Sequence, residues 1–566
     1  MRPDCFLTSS LLCLLASLPV LAAPPRVLAP EPLDKLLQRY LHLEAPRDDV
    51  EREALQNRLS KEGGELLATE GYFEARLVLE GEALDALVLH VTPGPRARIE
   101  SVRLIINGPV EAARLDALRA DWPLKAGAPF RQEDWNHAKE NLLLSLLERD
   151  FPTARLTYSE ARVEADRHQV VLEVTAESGP PYRFGELAIE GLSRYSPELA
   201  QRYNTRAQPG EAYEESRLLN LQSALENTPY FASVFISLDT EAATAEADGS
   251  RTAPLRVRLR EQSPHRLGLG AGVSSNTGAR VEANFRTADL FYRAWQLNGG
   301  VRLEQLKQSA YADIFLPPTH DQYQYAFGVL TERSDIQDLR LQTQSLGFSR
   351  SRQRGSVDLT LALGYLSEKQ TPQHQPSHRT RALTVNSLWG WHPFRNQTEG
   401  AGYASQIQIG GALKPVSDQN FVRLYGRHQQ VWQWGARNTL NLRAEGGIVL
   451  ADSRQGVPQS FLFRAGGSNS VRGYAYQSLG VQEGAATLGG RYLLTLSGET
   501  IHWLPDRPWG IAAFLDAGNA ADDRDAFRLK TGYGLGARWK SPAGPLGMDL
   551  AYGDRWRLHF ALSIPF

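Results

Sequence analysis

The chain has 566 residues, more than the ~100–200 of a usual single domain, so several units are expected. Its formal net charge of −2 shows no basic excess of the kind that nucleic-acid binding requires. The mean hydropathy of −0.37, with no long apolar run after residue 23, excludes a membrane protein built of helices. It does not exclude a barrel built of strands, because such strands alternate apolar and polar residues.

Residues 1–23 are typical of a cleavable secretory signal. Arg2 supplies the positive end, and 6–21 is mostly apolar but shorter than the ~20 residues of a membrane-spanning helix, so we expect cleavage rather than a permanent anchor. Cys13 lacks the small preceding residue of a lipidated cysteine. Cleavage would remove both cysteines, Cys5 and Cys13. The mature chain would then have no disulfide, cysteine metal site or cysteine nucleophile, which suits an oxidising envelope compartment.

The segment from residue 24 to about 263 mixes amphipathic helices with short strands. In one predicted helix, 132–147, Trp135, Ala138, Leu142 and Leu146 form a single apolar stripe. The other predicted helices are 33–40, 49–67 and 214–225, and the predicted strands are 86–91, 98–106, 169–175, 186–190, 233–238 and 255–259.

Similar turns recur along this segment at a nearly constant distance. Gly94 and Gly179 lie in similar Gly-Pro turns 85 residues apart, and a third junction at Pro264 follows Pro181 by 83 residues. Self-similarity at a fixed period indicates stacked modules, here α+β units at 24–95, 96–180 and 181–263. The alternative is one mixed domain with chance similarity of its turns. A strand that opens the first module is hard to find before Leu33.

From residue 264 to 566 the helical spacing disappears and a period of two replaces it. On the last predicted strand Arg557 and His559 lie on one face, and the other face is apolar: Trp556, Leu558, Phe560, Leu562, Ile564 and Phe566. Such strands fit a transmembrane barrel with lipid outside and a polar lumen. The runs predict about 16 antiparallel strands, an even number within the range of bacterial barrels. A soluble β-sandwich or propeller also alternates, but the secretion signal and the terminal aromatic residue favour the barrel.

The first predicted barrel strand contains a glycine-rich pattern, Gly268, Gly270 and Gly272. It resembles a nucleotide-binding loop only superficially, because it does not open a helix, and we expect these glycines to reduce bulk on the lumen face. No nucleophile elbow or histidine pair with supporting context occurs. We therefore expect no enzyme activity, cofactor or metal. A barrel hydrolase whose Ser, His and acid meet only in space stays an alternative.

A long connection at about 452–486 carries Val471-Arg472-Gly473-Tyr474. Connections beyond ~12–15 residues are usually functional or disordered. If this loop folds into the lumen, Arg472 needs acceptors there, and Glu499 and Asp516 occupy lumen-facing positions of the following strands. We predict that Arg472 docks against one or both carboxylates. The alternative is an exposed loop arginine with unrelated carboxylates.

At these residues the chain resembles the outer-membrane protein assembly superfamily, whose members join periplasmic POTRA domains to a 16-stranded barrel. The Val471–Tyr474 tip matches that family's V/I-R-G-F/Y motif, residues 514–518 match its F-x-D-x-G strand, and Phe566 matches its terminal aromatic. The resemblance implies a loop arginine docked inside the barrel and a weak seam between the first strand, near 266–274, and the last, near 555–566. It also implies that the terminal strand, with its apolar face, is the assembly signal.

Three modules are the number found in the TamA branch, the barrel subunits of the translocation and assembly module, and Tyr182-Arg183-Phe184-Gly185 also resembles that branch. The resemblance implies an outer-membrane protein with its POTRA domains in the periplasm. It would work with a TamB-like periplasmic protein to insert outer-membrane proteins or autotransporters, to move membrane lipids, or both. Its rivals are a two-partner-secretion transporter and a barrel-embedded hydrolase. A passive porin is disfavoured because it needs no such N-terminal region.

Overall fold

The computed structural model describes residues 24–84, 86–392, 402–542 and 544–565, with only the backbone for 544–545 and 561–565. The predicted signal segment and Phe566 lie outside the described residues. Two compact units are present. Among the described residues, the first unit contains those up to Glu186 with Ala207–Leu219 and Ser237–Leu255, and the second contains Leu187–Arg206, Asn220–Ile236 and those from Arg256 onward.

Before the barrel the described chain alternates helices and short strands, as predicted. The helices are α1 (Leu33–Tyr40), α2 (Asp49–Thr69), α3 (Ala112–Asp121), α4 (Gln132–Leu147), α5 (Pro197–Gln201) and α6 (Glu215–Glu226). The strands are β1 (Arg26–Leu28), β2 (Arg76–Glu80), β3 (Val88–Thr92), β4 (Arg98–Asn107), β5 (Arg155–Glu164), β6 (Gln169–Glu177), β7 (Tyr182–Glu190), β8 (Phe231–Leu238), β9 (Thr244–Ala245) and β10 (Arg251–Glu261). Among the described residues, no helix combines the length and apolarity needed to cross a membrane.

These strands form three separate sheets, in the orders β1-β3-β2, β4-β6-β5 and β7-β10-β8, with β9 beside β10. One sheet falls within each range predicted as a module. The module boundaries themselves stay a prediction, because the division into two compact units passes through the third sheet.

The second sheet shows how the apolar pattern builds a module. The predicted stripe of α4 is buried, and it shares one core with alternate residues of β6, among them Val170, Leu172 and Val174. Helix α3 has no buried residue, and only Leu115 and Leu118 pack, partly buried, against this core, so its apolar stripe is short. Strand β1, which the sequence did not reveal, has only three residues and pairs in parallel with β3.

The C-terminal half is a closed antiparallel barrel of 16 strands within the described residues, which confirms the predicted fold class. Its strands are β11 (His265–Ser274), β12 (Gly278–Leu290), β13 (Trp295–Glu304), β14 (Lys307–Phe315), β15 (Gln324–Ile336), β16 (Leu339–Arg354), β17 (Val357–Pro372), β18 (His378–Trp391), β19 (Gly402–Ala412), β20 (Phe421–Trp434), β21 (Asn438–Leu450), β24 (Tyr492–Trp503), β25 (Trp509–Ala521), β26 (Lys530–Ser541), β27 (Gly544–Tyr552) and β28 (Trp556–Pro565). The short strands β22 (Val481–Glu483) and β23 (Ala486–Leu488) form a hairpin outside the barrel wall.

That hairpin corrects one prediction. The strand expected near Thr487 is β23, and the barrel wall resumes only at Tyr492. The loop therefore extends over residues 451–491 rather than 452–486. A three-residue hairpin strand and a wall strand share the same local pattern, so periodicity did not separate them.

The two faces of the barrel wall follow the predicted alternation. On β28, Trp556 and Leu558 are exposed while His559 is buried on the opposite face. On β26, Tyr533 and Leu535 are exposed outward. The side chains of Leu562 and Ile564 lie outside the described residues.

The barrel closes between β11 and β28 through a short ladder. Five register pairs join Gly270–Ser274 to Pro565–Ala561, whereas ten pairs join β11 to β12. Residues 265–269 therefore have a strand partner on only one side within the described chain. We call this closing pair the seam, and the barrel end at which β11 begins the N-terminal rim.

Candidate functional site: the docked loop and the seam

The loop of residues 451–491 is anchored at its base by a buried carboxylate. Glu368 on β17 is 1% exposed and accepts hydrogen bonds from the backbone nitrogen of Gln459 at 2.5 Å and the hydroxyl of Ser460 at 2.5 Å. The Gln459 side chain in turn accepts from the backbone nitrogen of Gly489 at 2.8 Å. Around these contacts the loop buries an apolar cluster that includes Phe463 and Val471. These contacts give the loop a fixed shape.

At the loop tip, Arg472 is 3% exposed and its guanidinium group contacts carboxylates from three strands. Its Nε and Nη2 donate to the two oxygens of Asp516 at 2.7 and 2.9 Å, a bidentate pair. Its Nη1 donates to Glu499 at 2.6 Å and to Asp549 at 3.0 Å. The backbone nitrogen of Arg472 also donates to Asp516 at 3.0 Å. Asp516 is fully buried, so this arginine compensates a charge that water does not reach.

A second arginine completes the cluster. Arg538 on β26 donates to Glu499 at 2.6 and 3.1 Å and to Asp549 at 2.6 Å. Two cations thus face three carboxylates, a formal balance of −1. Because each carboxylate is hydrogen-bonded to a guanidinium group, the arrangement is an electrostatic anchor for the loop tip.

The barrel wall next to Arg472 provides a ring contact and space for the loop tip. The guanidinium carbon lies 3.4 Å from the ring centroid of Phe514, a cation–π contact in a desolvated site. Gly532 and Gly534 on β26 provide the necessary space, because a methyl group at Gly532 would overlap the Arg472 carbonyl oxygen and one at Gly534 would overlap Leu550 and Phe514. Gly532 is therefore required by the close approach of the loop, and Gly534 by the close approach of the neighbouring wall strands.

The loop tip contacts both sides of the seam. The backbone nitrogen of Gly473 donates to Nε2 of His559 on β28 at 2.9 Å. The side-chain amide of Asn276, in the turn after β11, donates to the hydroxyl of Ser468 at 2.9 Å. One loop thus holds the last strand and the first hairpin at the same time.

Some of the residues predicted from the sequence lie at the loop tip and others lie on the first barrel strand. Glu499 and Asp516 both contact Arg472, as expected from their lumen-facing positions in the strand alternation. On β11, Gly270 and Gly272 belong to the seam ladder as register partners of Pro565 and Ser563, whereas Gly268 precedes that ladder and lies beside the Asn284 side chain of β12.

Other members of the site were missed. These are Arg538, Asp549 and His559, which occupy lumen-facing positions of β26, β27 and β28. The alternation along each strand shows that their side chains face the lumen. It does not show which strands lie beside the loop tip, so it does not distinguish these residues from other lumen-facing ones.

We expect Gly473→Ala to loosen the tip without unfolding the barrel. Gly473 has a φ of 89°, and an added methyl group would overlap the backbone of Tyr552 and Gly553. A side chain in this backbone region costs about 1–2 kcal/mol before any overlap is counted. Limited proteolysis of the purified folded protein should then cleave within residues 451–491 faster than in the wild type.

A matched control is Gly435→Ala, in the turn between β20 and β21, where φ is also positive (60°) and no atom lies within 4 Å of the added methyl group. Equal cleavage rates in wild type and Gly473→Ala would contradict the tight docking.

The chain combines α+β sheets with a 16-stranded antiparallel barrel and an inward-docked loop. This combination defines the class of outer-membrane barrels that carry N-terminal POTRA-like domains. A family model described as the Omp85 superfamily domain matches residues 263–566, more than half of the chain. The chain belongs to the Omp85 superfamily and is an outer-membrane β-barrel protein of that family.

Two of its relatives in sequence are outer-membrane assembly factors. It is 22% identical over 418 residues to the outer membrane protein assembly factor BamA of Nitratidesulfovibrio vulgaris, covering 70% of this chain and 51% of the relative. It is 22% identical over 565 residues to BamA of Neisseria meningitidis serogroup B, covering 85% and 68%. The chain thus spans about half the length of the first of these relatives.

Among solved structures, BamA from Haemophilus ducreyi lacking POTRA domains 1–3 is similar with a TM-score of 0.69 and 16% identity. The match covers 83% of this chain and 100% of that one. At that identity the likeness supports the fold alone.

Proposed function

We propose that this protein is a non-enzymatic assembly factor of the TamA type, with its N-terminal sheets in the periplasm and a TamB-like protein as its partner. It inserts outer-membrane or autotransporter proteins into the membrane, moves lipids to it, or does both. The observation that carries the proposal is the seam, where, among the residues that the structure describes, half of the first barrel strand has a partner on one side only.

An unpaired strand edge is a template for another strand. Within the described chain, residues 265–269 pair only with β12, and Leu267 on the same stretch is 71% exposed. An incoming strand could pair with this edge and place its own apolar residues towards lipid. The short seam ladder, with five register pairs, keeps the cost of widening this edge low.

The N-terminal sheets also end in edge strands. In the sheet of order β1-β3-β2 the outer strand β2 has a single neighbour within the described part of the chain, and β5 is the outer strand of the next sheet. Strand addition to such edges is a general mode of peptide recognition, and it supports an elongated β-rich partner. The number of these sheets supports the TamA branch.

Site-specific photocrosslinking in cells tests the proposal. A photoreactive residue at Val78 on β2 should capture a long TamB-like periplasmic protein, and one at Leu267 on the seam should capture newly made outer-membrane proteins. Both side chains are exposed.

Val385 on β18 is an exposed outward control far along the wall from the seam, and it should capture neither. Recovery of one secreted adhesin from both test positions would instead indicate a two-partner-secretion transporter. Equal capture at Leu267 and Val385 would contradict a specific role of the seam.

A further inference from the structure

The outward face of β16 carries an unusual cluster of cations near the N-terminal rim. Phe348 on this face contacts Phe327 and Tyr325 of the neighbouring strand, with ring centroids 5.1 and 5.9 Å apart. Because side chains alternate along a strand, Arg350, Arg352 and Arg354 point to the same outward side as Phe348. These three arginines, which we call the arginine ladder, span about 13 Å along the strand.

One tyrosine organises the ladder. The guanidinium carbon of Arg350 lies 3.6 Å from the ring centroid of Tyr323, and that of Arg352 lies 4.9 Å from it. Nη1 of Arg352 also donates to the Tyr323 hydroxyl at 3.3 Å. This hydrogen bond, with the charges of all three arginines, lowers the pKa of Tyr323, which lies in the turn before β15. The ladder therefore produces a strong positive potential at the rim.

The ladder has no anionic partner within the described part of the chain. No carboxylate forms an ion pair with these arginines there, and the Nε atoms of Arg350 and Arg352 are buried without a hydrogen-bond acceptor. Near the opposite rim, Arg340 on the same outward face of β16 is paired with Asp335 at 2.9 Å. Neighbouring cations without counter-ions repel one another, and an anionic ligand bound to their exposed groups would offset that cost.

We propose that the arginine ladder is a binding site for the phosphate diester headgroup of an anionic phospholipid. A lipid is the occupant that the position favours, because the cations adjoin an outward aromatic patch in which Phe327 is 50% exposed and would contact acyl chains. Planar guanidinium groups bind phosphate oxygens through paired N–H donors. With the periplasmic orientation of the N-terminal rim proposed above, the lipid belongs to the inner leaflet of the outer membrane.

Native mass spectrometry of the purified full-length protein in neutral detergent tests this site. The probes are dioleoyl phosphatidylglycerol, zwitterionic dioleoyl phosphatidylcholine and inorganic phosphate. The wild type should retain phosphatidylglycerol in preference to phosphatidylcholine. The triple variant R350Q/R352Q/R354Q should weaken phosphatidylglycerol binding at least about tenfold, since each basic side chain near a lipid surface contributes on the order of a fivefold effect.

The matched control removes three charges from outward positions near the opposite rim. Arg333 on β15 is the register partner of Gln342 on β16. Gln342 in turn pairs with Lys369 on β17, and Lys369 pairs with Arg379 on β18, so the three basic residues lie in one row across these strands. The variant R333Q/K369Q/R379Q should bind phosphatidylglycerol within about twofold of the wild type, as expected for surface charges that lie beyond a Debye length of the site. Heat-modifiable migration on gels verifies that each variant is a folded barrel.

Three results would overturn the proposal. They are unchanged lipid binding by the ladder variant, an equal loss in the control variant, and displacement of the lipid by millimolar inorganic phosphate, which would indicate a free-anion site. None of these measurements depends on a partner protein or on client insertion. Failure of the lipid site is therefore distinguishable from failure of the proposed assembly function.

Discussion

Arg472→Ala is expected to abolish function in cells while leaving a folded barrel in the membrane. The substitution removes the donors that compensate Asp516, which is fully buried, together with Glu499 and Asp549. Breaking a buried ion pair from one side costs about 3–5 kcal/mol. That cost opposes docking of the loop tip, whereas the wall strands keep their ladders of backbone hydrogen bonds. The loop should therefore leave its pocket before the barrel unfolds.

The measurements separate docking from folding. Growth or client insertion should fail, heat-modifiable migration should persist, and residues 451–491 should become sensitive to protease. Arg472→Lys is the informative companion, because lysine keeps the charge but lacks the planar fork that bridges three carboxylates, so we expect it to be impaired as well. Arg333→Ala, an outward arginine on the lipid-facing side of β15, is the control. Normal function of Arg472→Ala with a protease-sensitive loop would show that docking is dispensable.

The sequence could predict this contact because strand phase is a local property. The alternation around Glu499 and Asp516 placed both carboxylates in the lumen, and a buried arginine requires acceptors of that kind. Asp549 has the same phase on β27, yet its contact with Arg472 joins residues 77 positions apart. Only the register of β25 to β28 brings it to the loop tip, and register between strands is not encoded in the period of any one strand.

Two elements that escaped prediction, β1 and α3, share a physical reason, which is a weak local apolar signal. Strand β1 contributes one buried residue, Val27, and α3 contributes none. In contrast, α4 buries four residues at helical spacing, and its predicted bounds match those observed. An element that forms mainly because of contacts with the rest of the fold has few apolar residues at a regular spacing, so its sequence does not reveal it.

The second large effect concerns the seam. A disulfide between cysteines placed at Gly272 and Ser563 is expected to abolish function reversibly. These residues are register partners of β11 and β28, so the crosslink would prevent the two strands from separating. The backbone nitrogen of Ser275 donates to the carbonyl oxygen of Phe560, which marks a hydrogen-bonded pair three positions away. By alternation Gly272 and Ser563 form a non-hydrogen-bonded pair, whose Cα atoms approach to about 4.5 Å, within disulfide reach.

The positions of the native cysteines suit this experiment. Its two cysteines are Cys5 and Cys13, so no other thiol follows residue 13 and a new disulfide has no competing partner. The oxidised double variant should lose client insertion, addition of a reductant should restore it, and each single-cysteine variant should stay active. A second pair at Gly347 and Gly364, register partners on β16 and β17 away from the seam, controls for a disulfide elsewhere in the wall. Full activity with quantitative oxidation at the seam would mean that substrates are handled without its opening, and would contradict the proposed role of strand separation.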